Sequence, residues 1–288
     1  MFMLSLPHVA DVKHSFIKIN NAKIHIAEAG AGKPLFLLHG WPQHWYVWRK
    51  VIPELSKTHR LIMPDLPGFG WSDIPRDKDF CKEKLAEDML QLIAMLKLKQ
   101  VGLIGHDWGG WIGFLMCQKE PSRFTSYLAL GIGFPFNPNP LSPLQFWRFL
   151  YQLPLATPLA GEVLLKRWPQ LTEWGIKKCA YKKNAWTKEE LHLFSSALQN
   201  AQKARASSLL YRTFITKELK QLKNYQKQPY TFPTILLIGS NDPIINPSLF
   251  KNGKQQGNLQ IEFIKNCGHF IPEEQPEIVV EWAKRLFD

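Results

Sequence analysis

Residues 101–110 read Val101-Gly-Leu-Ile-Gly-His-Asp-Trp-Gly-Gly110. A short apolar run, a turn framed by glycines and the run from Trp111 to Lys119 predict a buried strand, a tight turn and a helix. This is the layout of a nucleophile elbow, G-x-S-x-G, in which the turn exposes a nucleophilic side chain above a sheet. Asp107 stands where that motif has serine. The sequence therefore predicts an elbow that presents a carboxylate.

A carboxylate at this position changes the expected chemistry. Carboxylate attack at saturated carbon forms an alkyl ester, which water must then cleave. Epoxides and alkyl halides are the substrates that fit this two-step route, and the route needs neither a cofactor nor a metal. We therefore expect a cofactor-independent hydrolase.

Composition favours a globular chain in the cytosol. The chain has 288 residues, 45% of them hydrophobic, which is enough for one large core with an inserted subdomain. No apolar run approaches the roughly 20 residues of a membrane helix, and the first residues lack the charged start and cleavage pattern of a leader. The cysteines have no metal-binding spacing and are expected to be reduced thiols: Cys81, Cys117, Cys179 and Cys267.

The charge balance is strongly basic, with a formal net charge of +12. Basic residues concentrate in residues 177–183 and 217–227, but no nucleic-acid-binding motif accompanies them. We interpret them as a solvated face, so the sequence predicts no nucleic-acid partner.

The order of elements predicts an α/β fold with an insertion. Strand-like and helix-like stretches alternate after a hairpin near residues 15–27, which is typical of a mostly parallel twisted sheet covered by helices on both faces. Helical patterns dominate residues 139–228, including Leu144–Leu150, Glu189–Ala206 and Ser208–Leu222. We predict a core domain from residues 1–138 and 229–288, with a helical cap (139–228) inserted after the sixth strand.

Three polar residues follow predicted strands in the order nucleophile, acid, histidine. They are Asp107, Asp242 in Gly239-Ser-Asn-Asp-Pro243, and His269 in Cys267-Gly-His-Phe270. His269 would deprotonate water and Asp242 would orient its imidazole. The backbone N–H groups of Trp41 and Trp108 are expected to form the oxyanion hole for the ester of Asp107.

These motifs resemble the α/β-hydrolase superfamily, in its branch of epoxide hydrolases and haloalkane dehalogenases with an aspartate nucleophile. The resemblance covers nearly the whole chain and rests on four motifs: His39-Gly-Trp-Pro42, Asp65-Leu-Pro-Gly-Phe-Gly-Trp-Ser-Asp73, Gly105-His-Asp-Trp-Gly-Gly110 and Gly268-His-Phe270. Related enzymes suggest a cis peptide between Trp41 and Pro42, which would direct the Trp41 N–H inward.

The resemblance also implies proton-donating tyrosines in the cap. Tyr211 matches the second of two cap tyrosines that serve epoxide opening. The position of the first holds Trp147, five residues before Gln152, and Tyr151 lies one helical turn further on. Either Tyr151 replaces the missing tyrosine or it has a packing role. Trp147, Tyr151 and Pro42 are assigned to the substrate pocket.

Three functions follow from this pattern. The first is the opening of a small apolar epoxide to a vicinal diol. The second is haloalkane dehalogenation, with tryptophan N–H groups such as those of Trp108 and Trp147 binding the leaving halide. The third is a catalytically silent binding protein on the same fold. Association as a homodimer is left open.

Overall fold

The computed structural model describes residues 5–133, 147–222, 230–250 and 257–288. Eight strands form one sheet in the order β1-β2-β4-β3-β5-β6-β7-β8. In chain order, the strands are β1 (Lys13–Ile19), β2 (Ala22–Ala29), β3 (Lys33–Leu38), β4 (His59–Pro64), β5 (Val101–His106), β6 (Phe124–Leu130), β7 (Tyr230–Gly239) and β8 (Gly257–Ile264).

The sheet is mostly parallel, as predicted. β1 and β2 form the expected antiparallel hairpin, and β2 also pairs antiparallel with β4. The remaining neighbours are parallel. Because parallel strands end at the same edge, the segments after β3, β5, β7 and β8 meet there.

Helices cover both faces of the sheet. The described α-helices are α1 (Ile52–Leu55), α2 (Lys82–Met95), α3 (Trp108–Lys119), α4 (Gln152–Ala156), α5 (Ala160–Arg167), α6 (Pro169–Cys179), α7 (Lys188–Ala197), α8 (Ala201–Thr213), α9 (Ile271–Glu274) and α10 (Pro276–Phe287). A π-helical turn, Phe214–Glu218, continues α8. α2 and α3 contribute to the apolar cluster on one face, and α10 to the cluster on the other. Every residue of β5 is buried between them.

The chain between β6 and β7 is helical over its described part, residues 147–222. The helical stretch expected over Glu189–Ala206 consists of two helices. The chain turns at residues 198–200, and the Asn200 side chain caps α8 by accepting the Gln202 N–H at 2.9 Å. Of the stretch Leu144–Leu150, residues 144–146 lie outside the described residues, and a 3₁₀ turn occupies Trp147–Phe149. None of the described helices is long and apolar enough to span a bilayer.

Candidate active site

Asp107 lies at the turn between β5 and α3, in a backbone conformation that few residues adopt. Its φ is 49° and its ψ is −125°. The turn closes only because glycines flank it. A Cβ on Gly105 would lie 2.7 Å from the carbonyl oxygen of Gly109, and a Cβ on Gly109 would lie 2.3 Å from that of Leu38. The glycines of the motif therefore permit the close approach of helix and strands that presents the Asp107 side chain at the sheet edge.

The loop after β3 supplies a hydrogen bond to this carboxylate. The Trp41 N–H donates to Oδ2 of Asp107 at 2.8 Å. Gly40 precedes it because a Cβ there would lie 2.4 Å from Cβ of Asp107. The Trp41–Pro42 peptide is cis, as expected, and Pro42 is buried beside it. One of the two predicted oxyanion-hole donors thus contacts the nucleophile candidate directly.

Two buried polar residues, His39 and Asp65, fix the position of the loop after β3. His39 accepts the Leu66 N–H on Nε2 at 2.9 Å, so its Nδ1 carries the proton that it donates to the Gly40 carbonyl at 3.0 Å. Asp65 accepts N–H groups from Trp45 at 2.8 Å and Trp71 at 2.9 Å. These bonds tie the His39-Gly-Trp-Pro42 loop to the segment after β4.

The ends of β7 and β8 bring Asp242 and His269 to Asp107. His269 Nδ1 lies 2.9 Å from Oδ2 of Asp242, and its Nε2 lies 3.6 Å from Oδ1 of Asp107. The second Asp242 oxygen accepts the N–H groups of Ile244 at 2.8 Å and Ile245 at 2.9 Å. The imidazole therefore lies between two carboxylates, one of them anchored by backbone groups.

This placement governs the proton affinity of His269. Burial opposes protonation, but the charges of Asp242 and Asp107 outweigh it and raise the pKa of His269 well above 6.5. His269 is only 3% exposed, so this group of charges is almost closed to water.

Two residues not singled out from the sequence hold the His269 loop. Buried Glu274 accepts four backbone N–H groups: Gly268 at 3.0 Å, Phe270 at 3.1 Å, Tyr181 at 2.7 Å and Lys182 at 2.9 Å. His106 Nε2 donates to the His269 carbonyl at 3.0 Å. Burial and the neighbouring His269 lower the pKa of His106 to about 4, so it is a neutral donor.

Tyr211 lies among aromatic rings above the elbow. It is 1% exposed, and its ring centre lies 5.3 Å from that of Trp41 and 5.7 Å from that of Trp108. Its hydroxyl is hydrogen bonded to the Trp108 and Tyr151 side chains. The indole N–H of Trp41 is buried and has no partner among the described residues.

Tyr151 lies next to Tyr211, at a ring distance of 6.0 Å. Burial of the hydroxyl end raises the pKa of both phenols, and the Asp107 charge adds to the rise. Both are therefore neutral and able to donate a proton near Asp107. Trp147 differs from its pocket assignment: it is 60% exposed, and its ring faces the Arg148 guanidinium at 4.9 Å. The tight 3₁₀ turn places it outward while Tyr151 remains near the site.

A buried lysine adjoins the same aromatic group. Lys82 is fully buried, and its Nζ lies 4.6 Å from the centre of the Trp108 ring. It donates to the Leu210 carbonyl at 2.5 Å and pairs with Glu218 at 3.1 Å. Burial lowers its pKa to about 8, although Glu218 opposes the shift. The sequence alone offered no sign of this role, since Lys82 opens an ordinary amphipathic helix.

In the part of the chain that the structure describes, no group of three or more histidine, cysteine, aspartate or glutamate side chains is arranged to bind a metal ion. A mostly parallel sheet with an elbow after β5 and an acid and a histidine after β7 and β8 defines the class of α/β-hydrolases. The profile of the alpha/beta hydrolase fold family matches residues 33–276. The chain belongs to this family and to its epoxide hydrolase-like branch of enzymes.

Individual relatives agree with that placement. The chain is 30% identical to the soluble epoxide hydrolase of Corynebacterium sp. (strain C12) over 96% of this chain and 98% of that protein. It is 26% identical to epoxide hydrolase 3 of Xenopus tropicalis over 93% of this chain and 76% of that protein. The solved structure of the epoxide hydrolase CorEH without ligand superposes with a TM-score of 0.85, at 28% identity, over 96% of this chain and 98% of that one.

Proposed function

We propose that this hydrolase opens small apolar epoxides to vicinal diols through a covalent ester on Asp107. The observation that carries the proposal is the pair of neighbouring phenols, Tyr151 and Tyr211, whose ring centres lie 6.0 Å apart, with the Tyr211 ring 5.7 Å from that of Trp108 at the elbow. An epoxide needs such a donor, because ring opening leaves an alkoxide that must be protonated. The surrounding rings of Trp41 and Trp108 suit an apolar substrate.

In the first step, Oδ1 of Asp107 attacks an epoxide carbon. A carbon–oxygen bond forms to Asp107 and the ring carbon–oxygen bond breaks. The released oxygen takes a proton from Tyr211, assisted by Tyr151. Oδ1 is the oxygen that faces His269, while Oδ2 is held by the Trp41 N–H at 2.8 Å. That division leaves one oxygen for attack and the other in the oxyanion hole.

In the second step, His269 removes a proton from water and the resulting hydroxide attacks Cγ of Asp107. Negative charge gathers on Oδ2, where the N–H groups of Trp41 and Trp108 stabilise it. The bond from Cγ to the diol oxygen breaks, and His269 returns its proton to that oxygen. The second proton of water restores the tyrosine, so one epoxide and one water give one diol. Esterification also removes one of the two charges that raise the pKa of His269, which frees the imidazole to act as a base.

We further propose that residues 139–228 form a cap over this site and that the protein works in the cytosol. The cap role is supported by Tyr151 and Tyr211, which come from helices between β6 and β7 and approach the elbow. In this arrangement the core supplies the nucleophile and the base, and the cap supplies the acid.

Haloalkane dehalogenation is the second candidate, favoured by one observation. The Trp41 indole N–H is buried and has no hydrogen-bond partner among the residues that the structure describes, and such a donor suits a departing halide. The Trp108 indole, which would be its natural companion, is hydrogen bonded to Tyr211. The epoxide route accounts for both tyrosines and is therefore preferred.

The test is the intact mass of the His269→Ala variant after incubation with styrene oxide or with 1-bromobutane. Without the base, the reaction should stop at the ester. A mass gain equal to the whole epoxide, mapped to the peptide that contains Asp107, supports the proposal. A gain of the alkyl group with bromide release supports dehalogenation instead. The Asp107→Ala/His269→Ala double variant is the control and should gain nothing. An unmodified His269→Ala protein with both reagents contradicts the covalent route.

A further inference from the structure

The exposed apolar side chains of this protein are concentrated in one stretch. Of the fifteen large apolar side chains exposed among the described residues, ten lie within residues 147–181. Tyr151 is one of them. The other nine, here called the outer surface, are Trp147, Leu150, Leu153, Leu159, Val163, Trp168, Leu171, Trp174 and Tyr181. Concentrations of this kind on a folded chain mark a surface that contacts something apolar.

The helical spacing places apolar and basic residues of the outer surface on shared faces. Leu159 is the exposed residue that immediately precedes α5, and within α5 the exposed Val163 shares a face with the exposed Lys166 and Arg167. In α6, Leu171, Trp174 and Lys178 lie on successive turns. Trp168 connects the two helices and is 51% exposed. Each helix therefore presents an apolar row that ends in positive charge.

The charge of this stretch is one-sided. Residues 147–183 contain seven lysines and arginines and two glutamates. One of the two, Glu173, is engaged with a neighbouring helix, where it accepts the Ser195 hydroxyl at 2.7 Å. The outer surface thus combines tryptophans and leucines with basic residues, which are the components that bind the boundary region of a negatively charged bilayer.

We propose that the outer surface docks this enzyme onto anionic lipid bilayers. Tryptophan suits such a boundary because its ring is apolar and its N–H is polar, while lysine and arginine attract the lipid phosphates. A second copy of the chain is a poorer occupant. A two-fold symmetric contact would set the same basic residues of both copies against each other, and like charges repel.

Docking in this way would place the site beside the membrane. Tyr151 is 36% exposed at the outer surface, and its hydroxyl is bonded to Tyr211 above the elbow. This consequence rests on the proposed function. Because Tyr151 links the outer surface to Tyr211, apolar epoxides dissolved in a bilayer have a short path to Asp107.

The experiment is sedimentation of the full chain with vesicles of phosphatidylcholine alone or with 30% phosphatidylserine. We expect binding to the anionic vesicles that weakens with added salt. The variants Trp168→Ser/Trp174→Ser and Lys166→Glu/Arg167→Glu should each weaken it about tenfold or more. The matched controls are Phe16→Ser and Lys97→Glu/Lys99→Glu. They change exposed residues outside residues 147–183 and should bind as the parent does.

Two outcomes overturn the proposal. If the parent does not sediment with the anionic vesicles, the outer surface is not a lipid-binding site. The same conclusion follows if the control variants weaken binding as much as the variants of the outer surface. Light scattering of the same proteins without vesicles measures their molecular mass. If the mass of the parent doubles as its concentration rises and the Trp168→Ser/Trp174→Ser variant stays monomeric, the outer surface is a protein interface instead. The mass-adduct test of the proposed function needs no vesicles, so the two proposals can fail separately.

Discussion

The Lys82 ammonium group lies against the face of the Trp108 ring, 4.6 Å from its centre, at a point that water does not reach. Trp108 follows Asp107 in the chain and is hydrogen bonded to Tyr211 through its side chain. The same lysine donates to the carbonyl of Leu210, the neighbour of Tyr211. One cation from α2 therefore contacts both the elbow and the helix that carries the candidate acid.

Replacing Lys82 with methionine should destabilise the protein and slow turnover. The change leaves the Glu218 carboxylate buried without its cation, a loss of about 3–5 kcal/mol for pairs of this kind. Denaturant unfolding and kcat measure the two effects. Lys82→Met/Glu218→Gln should recover much of the stability but not the turnover, whereas Lys119→Met, at an exposed pair with Glu87, should cost less than about 1 kcal/mol. Equal losses in the two single variants would contradict a special role for Lys82.

Removing the two phenols should abolish epoxide opening. We expect Tyr151→Phe and Tyr211→Phe each to lower kcat, and the double variant to lose about 10²–10⁴-fold, the usual contribution of a general acid. Tyr181→Phe, an exposed tyrosine, is the control. Full epoxide turnover by the double variant would exclude these residues as the acid.

Asp107→Ala should lower the pKa of His269. The parent value lies well above 6.5 because the charges of Asp242 and Asp107 outweigh burial. Removing one of the charges brings the pKa down, as esterification would. An NMR titration of the imidazole in the two proteins measures the difference.

The raised pKa of His269 also predicts how the stability of the protein changes with pH. A pKa raised on folding contributes stability that is fully present below the unfolded value of 6.5 and is lost as pH rises through the folded pKa. The unfolding free energy of the parent relative to His269→Gln should therefore fall as pH increases above 6.5. A difference that stays constant across that window would refute the shift.

Glu274→Gln should loosen the His269 loop. Its two oxygens accept four N–H groups, from Gly268, Phe270, Tyr181 and Lys182, and an amide NH₂ cannot accept any of those it faces. An unsatisfied buried N–H costs about 1–3 kcal/mol, and we expect a drop in kcat with little change in KM. Glu281→Gln, on the exposed side of α10, is the matched control. Parent-like kinetics and stability would show that the His269 loop keeps its conformation without the Glu274 carboxylate.

Gly40→Ala should remove activity, since the added Cβ would lie 2.4 Å from Cβ of Asp107. Either the elbow or the Trp41 N–H must then move. Gly175→Ala in α6 meets nothing within 4 Å and should stabilise the protein by about 0.5–1 kcal/mol through helix propensity. Ester formation in the Gly40→Ala/His269→Ala variant, followed by mass, tests the expected loss, and an unimpaired rate would contradict it.

The sequence could predict the α/β fold and bring Asp107, Asp242 and His269 into one hypothesis because each follows a strand, and strand ends share an edge. The structure brings the three side chains together, with the His269 imidazole between the two carboxylates. The contacts of Lys82 could not be predicted in this way, since its partners lie 128 and 136 residues further along the chain. Such contacts depend on how an inserted segment folds back, which local patterns do not record. Trp147 shows the same limit, because its direction is set by a 3₁₀ turn rather than by helical spacing.

β6 and β7 are hydrogen-bonded neighbours, with Leu128 beside Ile235, although the whole helical segment separates them in the chain. The segment therefore leaves and rejoins the sheet at adjacent points. Lengthening a connection whose ends are already fixed costs chain entropy that grows only with the logarithm of its length. Evolution can accordingly resize or remodel this segment, which is the cap in the proposed mechanism, without disturbing the strand register that positions Asp107, Asp242 and His269. Substrate range and bond-breaking machinery can diverge at different rates in such a chain.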